Sequence, residues 1–178
     1  LDLKGRKQLL DLGGGPGTYA ALLAQANPGL RATVMDLPEV IAVARELVKK
    51  AGMEDRITCV DGDYHHSVFP KGNDVITLFG VLHKESPDRI RDIFKRAYEA
   101  LVPGGIIHVL DMMTDKSGIQ PKFSALFGVN MALTTEQGWV FSSQMLDGWL
   151  TKAGFSGFSC RPLPPPMPHW LAGAVKKD

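Results

Sequence analysis

The glycine-rich stretch Leu10-Asp11-Leu12-Gly13-Gly14-Gly15-Pro16-Gly17 lies between an apolar strand signal and a helix signal. This arrangement narrows the possible folds more than any other feature. Lys7–Leu12 is a short apolar run that stops at the glycines, as a buried parallel strand does. Thr18–Ala26 reads as a helix closed by the breaker Asn27-Pro28-Gly29. The alternation then repeats. Arg31–Met35 is a second strand, and Pro38–Ala51 is a helix with proline in its first turn and Gly52 just past its end. Arg56–Val60 and Asp74–Phe79 are the third and fourth strands. Ser86-Pro87-Asp88 opens a helix to Leu101, with Ser86 suited to the N-cap and Asp88 to the positive helix end. Pro103-Gly104-Gly105 is expected to end that helix and lead into a fifth strand, Ile106–Met112. Repeated βα units of this kind imply an α/β fold, a mostly parallel sheet with helices on both faces.

The last third has a different pattern. Pro121–Leu133 and Ser143–Ala153 read as helices, the first rich in Phe, Leu and Met. Two strand candidates follow, Phe155–Arg161 and His169–Val175, joined by Leu163-Pro164-Pro165-Pro166. So short a connection cannot hold a crossover helix, so the two strands should pair as an antiparallel hairpin. At 178 residues the chain can bury one substantial core, and a single domain is expected.

Charge bears on partners. With 20 basic and 19 acidic side chains the net charge is +1, so no concentrated positive field favours nucleic acid or an acidic membrane surface. No apolar run is long enough to span a bilayer and no signal peptide opens the chain, so the cytoplasm is the expected compartment. Cys59 and Cys160 sit in apolar strand-like stretches and read as buried free thiols. The chain starts at Leu1 and reaches its first strand within a few residues, which reads as a piece of a longer polypeptide.

Three turns carry the chemistry. Glycines after the first strand let the backbone turn tightly and let a ligand approach without a Cβ in the way. The dinucleotide fingerprint G-x-G-x-x-G fits Gly13 and Gly15 but puts Thr18 at its last glycine. The pattern G-x-G-x-G, completed by Gly17, suits a cofactor without a pyrophosphate. Asp36, ending the second strand, can accept from both hydroxyls of a ribose. Asp63-Tyr64, after the third strand, offers a carboxylate for an adenine amino group and an aromatic ring to cover it. Each acid taken alone could be a helix cap. Together they lie at successive strand ends, on the side where open α/β sheets bind ligands.

These residues resemble a known family. Leu10–Gly17, Asp36-Leu37-Pro38-Glu39-Val40, Gly62-Asp63-Tyr64, Val81-Leu82-His83 and Pro103-Gly104-Gly105 resemble the caffeate and hydroxyindole type of O-methyltransferases and their bacterial relatives. The Asp-Leu-Pro-x-Val stretch is the most specific part, and Phe127–Trp139 looks like the bacterial branch, which includes a pigment C-methyltransferase. The resemblance implies a Rossmann-like fold with a seven-stranded sheet whose last strand is antiparallel. It implies S-adenosylmethionine as cofactor, held by Gly13, Gly15, Gly17, Asp36, Leu37, Asp63 and Tyr64. It also implies a preceding domain that walls the substrate pocket and makes a homodimer.

Methyl transfer from a sulfonium is an in-line displacement, so the protein must align nucleophile, methyl carbon and sulfur. A phenolic nucleophile also gains from a general base, and histidine suits neutral pH. Of the five histidines, His83 lies just beyond the fourth strand at the ligand edge and coincides with the family's catalytic base. Asp111 matches an acidic position that orients it. His65 and His66 read as surface loop, His108 as a packed core imidazole, and His169 has no evident role. No Cys/His/carboxylate cluster points to a metal. Phe127, Asn130 and Met131 fall in the segment that lines the family's substrate pocket, with Asn130 expected to need a partner if buried.

The chain departs from plant members at Lys84-Glu85, where they carry Asp-Trp, and at Val140, where they carry a second acidic partner. Phe79 and Gly80 replace basic residues of many relatives. Methylation of a small aromatic hydroxyl is the leading expectation. Methylation of carbon or nitrogen with the same donor, a nucleotide-binding oxidoreductase and a non-catalytic cofactor-binding assembly module stand as alternatives.

Overall fold

Apolar side chains alternate along the first strand and the two strands beside it so that each of the three serves two cores. In the computed structural model, which describes residues 1–177, β1 (Gln8–Leu12) turns Leu10 and Leu12 toward one face and Leu9 toward the other. On the Leu9 side, Ala32, Val34 and Val75 pack with Ala20 and Ala24 of α1 (Thr18–Ala26) and with Ile41, Ala44 and Val48 of α2 (Pro38–Lys50). On the other side, Ile76, Leu78, Ile107 and Val109 meet Ile90, Ile93 and Phe94 of α3 (Pro87–Ala100) and Leu146, Trp149 and Leu150 of α5 (Ser143–Lys152). The sheet is thus covered on both faces, the arrangement that a parallel sheet requires.

The other strands of the main sheet are β2 (Arg31–Asp36), β3 (Ile57–Asp61), β4 (Asn73–Phe79), β5 (Leu101–Asp111), β8 (Phe155–Pro162) and β9 (Trp170–Lys176). With β1 they form one seven-stranded sheet of order β3-β2-β1-β4-β5-β9-β8. Strands β1 to β5 pair in parallel, and β9 alone runs against its neighbours. The expected terminal hairpin forms, with the Leu163 N–H donating to the His169 carbonyl across its mouth at 2.8 Å. Chain order reverses between β1 and β4, so the loops after these two strands diverge and open a crevice at the sheet's carboxyl edge.

The helix ends follow the expected chemistry. Pro38 and Glu39 start α2, Lys49 and Lys50 end it, and Gly52 takes φ 64° just beyond. The Ser86 hydroxyl caps α3 by accepting from the Arg89 N–H. Two features differ from the sequence expectation. Pro103-Gly104-Gly105 does not end a helix: α3 stops at Ala100, and the three residues form an irregularity inside β5. There the register jumps from Asn73↔Leu101 to Val75↔Ile106. Proline cannot donate to the ladder and Gly104 sits at φ 70°, so the stretch is accommodated as a bulge. The second is a small parallel pair, β6 (Met113–Thr114) with β7 (Phe141–Ser142), which ties the segment carrying α4 (Lys122–Thr134) to the sheet's edge. Among the described residues, no helix is long and apolar enough to cross a membrane.

Candidate active site

The crevice is built around the turn that follows β1. Gly13, Gly15 and Gly17 all adopt positive φ (65°, 57° and 77°), a region that costs any residue with a Cβ. Space excludes side chains as well. A Cβ on Gly13 would fall 2.7 Å from Val81 Cγ2, and one on Gly14 would fall 2.7 Å from Asp11 Oδ2. The loop is fastened to β2, with the Gly13 N–H donating to the Met35 carbonyl at 2.9 Å and the Gly15 N–H to Asp36 Oδ2 at 2.8 Å. Asp36 Oδ1 accepts from the Leu37 N–H at 2.8 Å. Each Asp36 oxygen therefore keeps a lone pair beyond these two bonds.

A cleft of about 470 Å³ brings together Gly13, Gly15, Asp36, Leu37, Asp63 and Tyr64, six of the seven residues expected to hold the cofactor. Gly17, the seventh, lies at the head of α1 instead, where its carbonyl accepts from the Ala21 N–H. A second hollow of about 360 Å³ shares Gly13 and Gly15 and continues past Asp11, Tyr19 and Phe79. The glycine turn thus has open space on both sides.

Two groups here escape a reading of the sequence. Asp11 is 1% exposed; Thr77 donates to its Oδ1 at 2.7 Å, while Oδ2 is buried without a partner among the described residues. Burial pushes the Asp11 carboxyl up to about 6. Glu85, only 5% exposed, accepts from the Tyr64 hydroxyl at 2.9 Å, and its other oxygen lies 2.8 Å from His65 Nε2. Burial, reinforced by Glu85, raises the Tyr64 phenol, so it stays protonated and donates. His65, expected on an open loop, is half-buried in the cleft wall. His66 is exposed, as expected. Neither pairing carries a local signal, because Glu85 lies 20 residues or more from its partners in sequence.

The second half of the site follows β4. Val81 leads into a short 3-10 helix, Leu82–Lys84, which presents His83. Its Nδ1 lies 2.8 Å from Asp111 Oδ1 at the end of β5, and its backbone N–H donates to Asp111 Oδ2 at 3.2 Å. Asp111 is 1% exposed and also accepts from the Met112 N–H at 2.8 Å. An ionised carboxylate only accepts, so Nδ1 carries a proton, and in the neutral imidazole Nε2 then holds the lone pair. The expected histidine–carboxylate pair is therefore assembled across two adjacent strands.

Phe127 of α4 packs edge-on against the His83 ring, with centroids 5.3 Å apart, and Met131, one helical repeat on, is buried. Asn130, the third residue expected to line the substrate pocket, is exposed, so its amide needs no buried partner. α4 carries apolar residues all round, so its sequence does not indicate which face turns inward. Trp139 closes the segment against the site, its N–H donating to the His83 carbonyl at 2.9 Å and its Nε1 to the Glu85 carbonyl at 2.8 Å. His108 is mostly buried, with burial lowering its imidazole to about 4, and it lies within β5 away from this rim.

Comparison with known proteins agrees with this geometry. Residues 1–156 match the family model described as the O-methyltransferase domain. The L-tyrosine C(3)-methyltransferase of Streptomyces lavendulae is 35% identical over 99% of this chain and 49% of its own length. The 3-hydroxy-5-methyl-1-naphthoate 3-O-methyltransferase of Streptomyces sahachiroi is 33% identical over 88% of this chain and 45% of its own. The crystal structure of the S-adenosylmethionine-dependent methyltransferase SibL, in its apo form, superposes with a TM-score of 0.91. It is 30% identical and is matched over 99% of this chain and 52% of that one. The chain spans about half the length of the curated relatives it matches. With its reversed-order sheet, glycine turn and histidine–carboxylate pair, it belongs to the O-methyltransferase domain family.

Proposed function

We propose that this chain is the donor-binding, catalytic half of an S-adenosylmethionine-dependent methyltransferase acting on a hydroxyl of a small aromatic molecule. The observation that carries the reading is the His83–Asp111 pair, 2.8 Å apart, on the same rim as the glycine-lined cleft. The residues present suit the donor. Asp11 Oδ2 is a buried acceptor without a partner among the described residues, the turn leaves no room for a Cβ at Gly13 or Gly14, and Asp36 has lone pairs to spare. Gly13 and Gly15 would receive the methionine end, Asp36 and Leu37 the ribose, and Asp63 and Tyr64 the adenine, with Gly17 serving to turn the chain into α1. When bound, the donor supplies a methyl group already activated on a sulfonium sulfur.

The chain's own work is alignment and proton removal. Asp111 fixes the His83 tautomer, so Nε2 is the atom that accepts the proton of an acceptor hydroxyl. Phe127 holds the imidazole plane and, with Met131, keeps water from the base. Proximity in such a site can supply roughly 7–11 kcal/mol of the barrier.

A neighbouring domain and a homodimer built through it belong to the same proposal. The lengths of the relatives support it, as does the run of exposed apolar residues Phe123, Leu126, Val129 and Leu133 on the outer side of α4, a larger stripe than a solvated helix normally shows. The cytoplasm is the proposed compartment, consistent with the free thiols of Cys59 and Cys160. A second reading, methylation of ring carbon with the same donor, is favoured by the 35% identity to an enzyme named for tyrosine C(3) methylation.

The test is transfer of isotope-labelled methyl from S-adenosylmethionine to a panel of phenols by the full-length protein, with products resolved by carbon NMR. Label on oxygen supports the first reading and label on ring carbon the second. Failure to methylate any acceptor despite donor binding refutes both and leaves a non-catalytic donor-binding module.

A further inference from the structure

Glu85 combines features that packing alone does not explain. It is a carboxylate with 5% of its surface exposed, and burying such a group is costly unless every oxygen is occupied. Both are. Oε1 accepts from the Tyr64 hydroxyl at 2.9 Å and Oε2 lies 2.8 Å from His65 Nε2. Tyr64 and His65 belong to the loop after β3 and form one wall of the cleft that faces Asp36. Their rings meet edge-on, 4.8 Å apart, and the Tyr64 ring lies 3.5 Å from where a Gly13 Cβ would stand.

The same residue is joined to the other half of the site. Its N–H donates to the Leu82 carbonyl at 3.0 Å, within the turn that presents His83. Its own carbonyl accepts from Trp139 Nε1 at 2.8 Å. Arg96 of α3 braces the outer side of the loop by donating to the carbonyls of Tyr64 and Ser67. On the inner side, among the described residues, the Tyr64 and His65 side chains hydrogen-bond beyond their own loop only to Glu85.

We infer that Glu85 is a positioning residue for the donor: it holds the Tyr64–His65 wall against the glycine turn and ties that wall to the segment bearing His83. It touches no reacting atom. This inference rests on the proposed donor-binding function and adds to it a residue that acts through Tyr64 and His65. Buried ion-pair networks are commonly replaceable by apolar side chains without loss of stability. A positioning role therefore predicts that stability and donor affinity separate when Glu85 is changed.

The experiment measures S-adenosylhomocysteine affinity by calorimetry, together with the thermal midpoint, for this chain and for Glu85→Leu, Glu85→Gln, His65→Asn and the double variant His65→Asn/Glu85→Leu. Glu85→Leu is expected to keep or raise the midpoint while weakening binding about tenfold or more. Glu85→Gln, which can still serve Tyr64, should stay within about threefold of the unaltered chain. The double variant should bind no worse than Glu85→Leu alone, because both remove the same link. Unaltered affinity in Glu85→Leu, or losses in the two single variants that simply multiply, overturns the inference. Should Glu85→Leu fail to fold, Glu85→Gln and His65→Asn decide: a large loss in His65→Asn beside a small one in Glu85→Gln supports the inference, and unaltered affinity in His65→Asn or a large loss in Glu85→Gln overturns it. If the unaltered chain ignores S-adenosylhomocysteine, the donor-binding reading itself falls, an outcome distinct from the others.

Discussion

Replacing Asp11 with asparagine should make the chain's stability, measured against that of the unaltered protein, rise as pH increases from 4 to 8. Asp11 lies under the glycine turn with Oδ2 unpartnered among the described residues, and burial lifts its carboxyl from the ordinary 3.8 to about 6. Between those values the folded chain keeps a proton that the unfolded chain has released. The stabilising contribution is fully present below pH 3.8 and is lost as pH rises through 6. At about 1.36 kcal/mol per pH unit, that span amounts to roughly 3 kcal/mol. His108 works in the opposite sense: burial lowers its imidazole from 6.5 to about 4, so its contribution is present above pH 6.5 and lost as pH falls through 4. The two slopes nearly cancel in the unaltered chain, so its own pH profile conceals both. Urea denaturation of both proteins across closely spaced buffers separates them. The difference in unfolding free energy, Asp11→Asn variant minus unaltered chain, should climb by roughly 3 kcal/mol between pH 4 and pH 8. The variant alone should show the uncovered His108 slope. A difference that stays flat across this range refutes the buried-carboxylate reasoning, whatever the absolute stability of the variant.

Other consequences can be checked separately. His83→Ala should lower turnover by the full-length protein by about 10²–10⁴-fold while leaving donor affinity unchanged, as parallel kinetic and calorimetric measurements would show. Asp111 accepts from His83 Nδ1, the His83 N–H and the Met112 N–H. Asp111→Asn should therefore cost about 1–3 kcal/mol in denaturant titrations and release the imidazole tautomer, visible in nitrogen NMR of His83. Gly13→Ala forces a Cβ to within 2.7 Å of Val81 at φ 65°. It should cost about 1–3 kcal/mol and abolish donor binding, both readable in one thermal-shift series with and without S-adenosylhomocysteine.

Features with local causes are legible in the amino-acid order. The strands of the parallel sheet are runs of apolar residues ending in glycine or acid, and the caps at Pro38, Ser86 and Gly52 stand where their chemistry acts within a few residues. The His83–Asp111 pair follows from the family resemblance, and sheet topology brings the two together from adjacent strands. What cannot be read is what depends on tertiary placement alone. Pro103-Gly104-Gly105 is as good a helix stop as a bulge, and only pairing with β4 decides between them. A two-residue strand such as Met113–Thr114 carries no periodicity. His65 reads as surface loop, and nothing near Glu85 marks it as a partner, because their pairing spans 20 positions. Asn130 cannot be placed from sequence because α4, apolar on every side, has no mark for its inner face.

Titration calorimetry of this chain with S-adenosylmethionine, beside the Asp36→Ala variant and with NADH as control, reaches the core of the account. One-to-one binding of the sulfonium donor, weakened at least tenfold by the Asp36 change and unmatched by NADH, is the predicted result. Absence of heat at millimolar donor, or equal binding of NADH, would contradict it.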